Sequence, residues 1–174
     1  MGRGAAPGVD MAKGQPALVW IPAGSLNTMA TEASHWAPCE TGGLLVGYWA
    51  APDEAVVTHV VDAGPNAQRT NIAFEPDAQY QEASLAELYE SSGRLDTYLG
   101  DWHSHPTGSL CLSRRDRKTL RTIGREPSAR CPRPLMLLLA GRADGWGSAV
   151  WSGERGRLGI VRPRRALLRS HHAS

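Results

Sequence analysis

The sequence of 174 residues predicts an α/β fold in which a mixed sheet is flanked by helices. Segments with strand-like and helix-like hydrophobic patterns alternate along the chain, without internal repeats. An Ala-Pro-Asp turn joins two apolar runs, 43–49 and 55–61, which we expect to pair as antiparallel strands. A chain of this length removes about 70% of its unfolded surface from water, so a single core is expected.

The other elements follow from local signals. A strand is predicted at 17–21 and a helix at 25–36, with Ser25 as the residue that caps the helix. Pro76 is well placed as the first residue of a helix that runs to Ser92. The later elements are a strand at 95–102, a helix after Ser113, and strands at 135–140, 148–151 and 158–161.

Composition indicates one domain over residues 16–166. Residues 1–15 and the C-terminal tail 167–174 show no periodic pattern and are expected to be disordered. No apolar run approaches the roughly 20 residues that span a bilayer, and the N-terminal segment has no apolar stretch typical of a signal peptide. The sequence therefore predicts a cytoplasmic protein with no membrane partner.

The most informative motif is the run His103-Ser104-His105-Pro106, followed by Ser113 and Asp116. The strand before the motif would place both histidines on the same face, and Asp116 falls in the first turn of the next helix. Two imidazoles and a carboxylate can hold one catalytic zinc and leave a coordination position open for water. Ser113 and Asp116 also fit a capping box, and this geometry can persist beside metal ligation.

A second motif lies upstream, where Glu40 directly precedes the apolar, glycine-rich run Gly42-Gly43-Leu44-Leu45-Val46-Gly47. With the His-x-His-Pro, Ser and Asp pattern, this sequence resembles the JAMM (MPN-plus, JAB) metallopeptidases from about residue 17 to 161. The resemblance implies a JAB/MPN-like fold, similar to that of the cytidine deaminases. It also implies that His103, His105 and Asp116 bind Zn²⁺.

The same resemblance assigns the remaining roles. Glu40 would be the general acid/base, and Ser113 would help to hold the catalytic water and the tetrahedral intermediate. The implied activity is that of an isopeptidase or peptidase that removes or processes a ubiquitin-like protein at its C-terminal tail. Gly42 and Gly43 would frame a narrow slot for that tail. The compact chain resembles the stand-alone prokaryotic members, which occur in operons with ubiquitin-activating-like and conjugating-like enzymes, several in phage defence.

Alternatives remain open within this fold. Other members process sulfur-carrier proteins. The RadC-like branch would use the basic region as a nucleic-acid surface, and a scaffold of the MPN-minus kind would bind partners without chemistry. The scaffold requires a broken motif, whereas no motif position is missing here.

Charge and cysteine content distinguish only partly between these alternative functions. The net charge is +2, with 17 arginines and two lysines, many of them after the motif. Such a surface could bind an acidic protein or nucleic acid, or it could be a solvated helix face. No aromatic residues interleave the arginines, so nucleic acid is not favoured. Three cysteines do not suggest a disulfide framework, although Cys39 and Cys111 stand close enough to the motifs to act as a nucleophile or an additional ligand.

Overall fold

The computed structural model describes residues 16–106, 108–142, 145–156 and 160–172. The elements in chain order are β1 (Leu18–Pro22), α1 (Ala23–Trp36), β2 (Gly42–Ala51), β3 (Glu54–Val61), β4 (Gln68–Thr70), β5 (Ala73–Glu75), α2 (Ala78–Ser91), β6 (Thr97–His105), α3 (Arg114–Ile123), β7 (Leu135–Arg142), β8 (Gly145–Arg155), β9 (Val161–Arg165) and β10 (Leu167–His171).

Eight strands form one mixed sheet in the order β10-β1-β3-β2-β6-β7-β8-β9. The pairs β1–β10, β1–β3 and β6–β7 are parallel, and the other pairs are antiparallel. The sheet curls, since its two outermost strands, β9 and β10, are joined by the single residue Ala166, whose N–H donates to the Val150 carbonyl of β8. The strands β4 and β5 form a separate two-stranded hairpin.

The sheet carries apolar clusters on both faces, as expected from side chains that alternate along a strand. One cluster joins Met29 and Ala33 of α1 to Leu135, Leu137 and other sheet residues. The second joins Leu120 of α3 to Met136 and Leu138. Helices α1 and α3 therefore cover opposite faces at β7. The predicted mixed sheet flanked by helices is confirmed.

Several predicted boundaries are wrong. Helix α1 begins two residues before Ser25, and no side chain caps it. Helix α2 is capped by Asp77, whose carboxylate accepts from the Tyr80 N–H, so Pro76 lies outside the helix. The hairpin β4–β5 has no predicted counterpart, because its strands are only three residues long.

The expectation of a disordered C-terminal tail is wrong for residues 167–171. They form β10, whose five residues pair in parallel with β1. Main-chain hydrogen bonds to a distant strand stabilise this segment without requiring an alternating pattern of its own. Residues 1–15, 157–159 and 173–174 lie outside the described residues, and they include half of the predicted strand 158–161. The division into domains stays a prediction. Among the described helices, none is long and apolar enough to cross a membrane.

Candidate metal centre

Strand β6 and helix α3 bring the three predicted metal ligands together. His103 and His105 are two residues apart at the end of β6 and share a face, and their Nε2 atoms lie 3.0 Å apart. Asp116 comes from the first turn of α3, with Oδ1 3.3 Å from Nε2 of His103 and Oδ2 3.6 Å from Nε2 of His105. All three side chains are about nine-tenths buried. The donor atoms fall within 4.8 Å of one another, a group that could hold a metal ion.

Neighbouring hydrogen bonds orient these donors. The Nδ1 atom of His105 lies 3.0 Å from the Ser109 carbonyl, which can only accept, so this bond places the His105 proton on Nδ1. The Nε2 lone pair is then free to face the cluster, as in many metal-binding histidines. The three donors, together with the Ser109 carbonyl that orients His105, therefore suit a divalent transition metal such as zinc.

The predicted capping box at the start of α3 is confirmed. The Ser113 hydroxyl oxygen accepts from the Asp116 N–H at 3.1 Å, and Asp116 Oδ2 accepts from the Ser113 N–H at 2.6 Å. Burial disfavours the charged form of Asp116, but hydrogen bonding to His103, its positive charge and the Ser113 bonds together hold the pKa of Asp116 below its ordinary value. The same two residues therefore cap the helix and aim the carboxylate at the histidines.

Ser104, the middle residue of the His-Ser-His run, ties β6 to the segment that carries Glu40. Its hydroxyl oxygen accepts from the Thr41 N–H at 3.0 Å, and its own N–H donates to the Thr41 carbonyl at 2.8 Å. Ser104 and Thr41 are fully buried. Sequence reasoning assigned no role to Ser104, although the alternation of a strand directs it away from the two histidines.

Glu40 lines a cavity of about 270 Å³ together with His103, Asp116 and Arg115. Burial is the largest influence on Glu40 and raises its pKa; the opposing effect of His103 and His105 in their protonated form offsets this only in part. A larger cavity of about 770 Å³ lies between α1 and α2 and contains none of these groups. Cavity size does not identify the site, so we place the candidate site where the three possible metal ligands and Glu40 lie together.

The glycines predicted to contact substrate have a packing reason to be glycine. A Cβ at Gly42 would lie 2.3 Å from the Trp102 carbonyl oxygen and 2.4 Å from Cζ of Phe74. A Cβ at Gly43 would lie 1.9 Å from the Val61 carbonyl oxygen. Of the two, only Gly43 is among the residues that line the cavity. Their contact with substrate stays a prediction.

The cavity also contains a buried carboxyl that the sequence analysis missed. Asp101 precedes His103 by two residues on the same face of β6, and its Oδ1 accepts from the Tyr98 hydroxyl at 2.6 Å. Burial raises the pKa of Asp101, and it also raises the pKa of the neighbouring Cys131 thiol to about 12. The position of Asp101, two residues before the first histidine of a strand motif, is the signal that could have identified it.

The cysteines near the motifs do not join the donor cluster. Cys39 is half-buried, and its thiol donates to Oδ1 of Asn71 at 3.4 Å. Cys111 is exposed. Within the described part of the chain, the group of metal-binding side chains consists of His103, His105 and Asp116 alone.

A curled mixed sheet that presents two histidines and an aspartate beside a half-buried glutamate defines a metallohydrolase of the JAMM type. The model of the family described as prokaryotic homologs of the JAB domain matches residues 22–152, and the chain belongs to this family. The enzyme class expected from the motifs is thereby confirmed.

Curated relatives agree with this class. A probable metalloprotease, y4qB, of Sinorhizobium fredii is 43% identical over 147 residues, which cover 84% of this chain and 90% of that protein. A CD-NTase/cGAS isopeptidase of Escherichia coli is 27% identical over 115 residues, covering 65% of this chain and 69% of that protein. A protein of the same description from Vibrio cholerae is 28% identical over 113 residues, covering 64% and 67%.

Among solved structures, the solution structure of a Desulfitobacterium hafniense protein is similar to this fold. The TM-score is 0.59 at 18% sequence identity, and the match covers 88% of this chain and 94% of the other. This likeness concerns the fold alone.

Proposed function

We propose that this protein is a zinc-dependent isopeptidase or peptidase that cuts immediately after the C-terminal tail of a ubiquitin-like protein. The observation that carries the proposal is the convergence of His103, His105 and Asp116, two of which line the same cavity as Glu40. Three protein ligands leave a coordination position at the metal open for water or substrate.

Zinc, when bound by these three residues, would acidify a water molecule and polarise the scissile carbonyl. Glu40 would take a proton from the attacking water as its oxygen bonds to the carbonyl carbon. The carbon–nitrogen bond then breaks, and Glu40 returns the proton to the leaving amine nitrogen. The raised pKa of Glu40 suits a group that must both accept and release a proton.

Ser113 would stabilise the oxyanion. Its hydroxyl oxygen already accepts from the Asp116 N–H, so the hydroxyl proton is free to be donated. A donor of this kind is typically worth on the order of 100-fold in rate.

The hairpin β4–β5 supports the entry of an extended tail. The main sheet has its edges at β10 and β9, whereas the metal site lies at the central strands β2 and β6. Ala73 and Phe74 of β5 line the cavity, and β5 is an edge strand of its hairpin. A tail could add to this edge through main-chain hydrogen bonds, with small residues beside Gly42 and Gly43.

We extend the proposal to the biological setting. Relatives described as CD-NTase/cGAS isopeptidases support an isopeptide bond to a CD-NTase-type protein as the substrate. The proposed setting is a bacterial cytoplasmic conjugation system that serves antiphage defence, with ubiquitin-activating-like and conjugating-like enzymes as partners.

The test is cleavage of a panel of ubiquitin-like proteins with small-residue tails, each fused to a reporter or linked to a lysine. Zinc-loaded protein should release the reporter immediately after the tail, as measured by mass spectrometry. Tryptophan at the penultimate tail position should abolish cutting by steric exclusion. Cleavage that ignores tail size, or no cleavage of any member, would contradict the proposal; Glu40→Gln is the matched inactive control.

A further inference from the structure

Arg69, in β4, is a buried cation outside the site described above. Its side chain is only 6% exposed. The guanidinium carbon lies over the Trp36 ring, 3.9 Å from its centre. Arg69 does not line the site cavity and is not part of the metal cluster. Such a residue needs a reason to be buried, because an unsatisfied charge in the interior is costly.

Four hydrogen bonds supply partners for its donors. The Nε–H donates to Oγ1 of Thr41 at 3.1 Å, and one terminal nitrogen donates to the Ala67 carbonyl at 3.2 Å. The other terminal nitrogen lies 3.4 Å from both Oε1 of Glu32 and the Gly64 carbonyl. Arg69 thereby joins helix α1, the loop before β4 and the residue that follows Glu40.

Thr41 and Glu32 close this network. The Thr41 hydroxyl accepts from Arg69 and donates to Oε1 of Glu32 at 3.2 Å, so each of the three side chains contacts the other two. We call Arg69, Thr41 and Glu32 the Arg69 clamp. A closed network in a buried setting holds its members more firmly than isolated pairs do.

The clamp fixes the backbone on both sides of the Glu40 peptide. The Glu40 N–H donates to the carbonyl of Thr70, the residue after Arg69, at 2.8 Å. The next N–H, that of Thr41, donates to the Ser104 hydroxyl. The N–H of Glu40 itself is therefore bonded to the hairpin, and the N–H of the next residue, Thr41, is bonded to the histidine strand.

We infer that Arg69 is a positioning residue for Glu40, acting through Thr41 and the hairpin and without touching substrate or metal. This inference rests on the proposed function in that it assigns proton transfer to Glu40. A displacement of about 1 Å at a reacting group can cost about 100-fold in rate, so loss of the clamp should reach the chemistry. The variant Arg69→Lys keeps the positive charge but lacks the planar guanidinium with its five donors. It should therefore recover little of the rate that is lost in Arg69→Ala.

The first test needs neither substrate nor metal. Amide hydrogen exchange should show lower protection of the Glu40 and Thr41 amides in Arg69→Ala than in the unmodified protein, with unchanged protection along β7. The control Arg94→Ala removes an arginine that is 68% exposed and pairs with Glu90, and it should change neither region. Unchanged protection at Glu40 in Arg69→Ala would overturn the inference.

The second test measures kcat and KM on the tail fusion that the unmodified protein cuts fastest. Arg69→Ala should lower kcat about 10- to 100-fold with little change in KM or zinc content. In the Glu40→Gln background the same change should lower kcat less than about twofold, because residues that act as a unit are not additive. Equal losses in both backgrounds would mean a merely structural role and would overturn the inference.

A separate control distinguishes the loss of kcat from a general loss of stability. Val19→Ala removes buried volume from β1 and should leave kcat unchanged at a comparable loss of stability. If Arg69→Ala fails to fold, Thr41→Val replaces it, since this variant deletes the oxygen that Arg69 binds; it should show the same loss of kcat and the same non-additivity. Full activity of Glu40→Gln would refute the proposed function and not the positioning role of Arg69. The amide hydrogen exchange of Arg69→Ala would then still show whether the Arg69 clamp holds the Glu40 backbone in place.

Discussion

Replacement of Gly43 by alanine should destabilise the protein in the absence of any substrate. The added Cβ would lie 1.9 Å from the Val61 carbonyl oxygen and within 3 Å of the carbonyl carbons of Val61 and Asp62. These are backbone atoms, so β2 and β3 must separate. The same Val61 oxygen accepts the Trp102 indole N–H at 3.0 Å, and a shift would break that buried bond as well.

The magnitude follows from these two effects. Overpacking costs about 1–3 kcal/mol, and an unsatisfied buried donor costs about 1–3 kcal/mol. Because a single movement causes both, we expect about 3 kcal/mol in the free energy of unfolding. For a domain of this size this loss lowers the melting temperature by roughly 6–12 °C.

The free energy of unfolding is measured by urea denaturation of the metal-free protein, and the melting temperature is measured on the same sample by thermal denaturation. Gly24→Ala is the matched control, because its Cβ would meet nothing within 4 Å and alanine favours the helix α1 by up to about 1 kcal/mol. If Gly43→Ala were as stable as Gly24→Ala, the packing argument would be refuted.

Three further predictions concern the metal site. His103→Ala and Asp116→Ala should each lose most of the roughly one zinc per chain, as measured by elemental analysis, and retention in both would remove the ligand assignment. Glu40→Gln should keep zinc and fold yet lose at least about 100-fold in kcat, and near-normal turnover would defeat its acid/base role. Because the ionised form of Glu40 accepts the proton, kcat/KM should fall as the pH drops and Glu40 becomes protonated, with zinc content checked at each pH; an acid limb that persists unchanged in Glu40→Gln would contradict this assignment.

Local signals predicted much of the fold. The turn between β2 and β3 and the helix α3 were predictable because a few adjacent residues determine them: Pro52 and Asp53 in the turn, and Ser113 with Asp116 at the cap. The start of α1 was not, because Pro22 occupies the cap position without a side-chain hydrogen bond. The strand β10 depends on pairing with β1, and no nearby residue carries that information.

In the candidate site, too, residues within a local motif could be predicted, whereas residues that act through distant partners could not. His103, His105 and Asp116 carry ligand chemistry at a recognisable spacing, so their convergence could be predicted. Arg69 could not be found in this way, because an arginine in a short strand has no motif and its role arises from partners on three separate segments. Ser104 is similar, since its hydroxyl matters only once Thr41 lies opposite.

The parallel pairing of β1 with β10 also has a consequence for the nascent chain. Leu18 pairs with Leu167, so one side of β1 stays open until about 150 further residues have been synthesised. Contacts between segments so far apart in sequence form slowly, and an open strand edge is a template for pairing with another molecule. Removal of residues 167–171 would make this exposure permanent, and the shortened protein should aggregate although every residue of the metal site is retained.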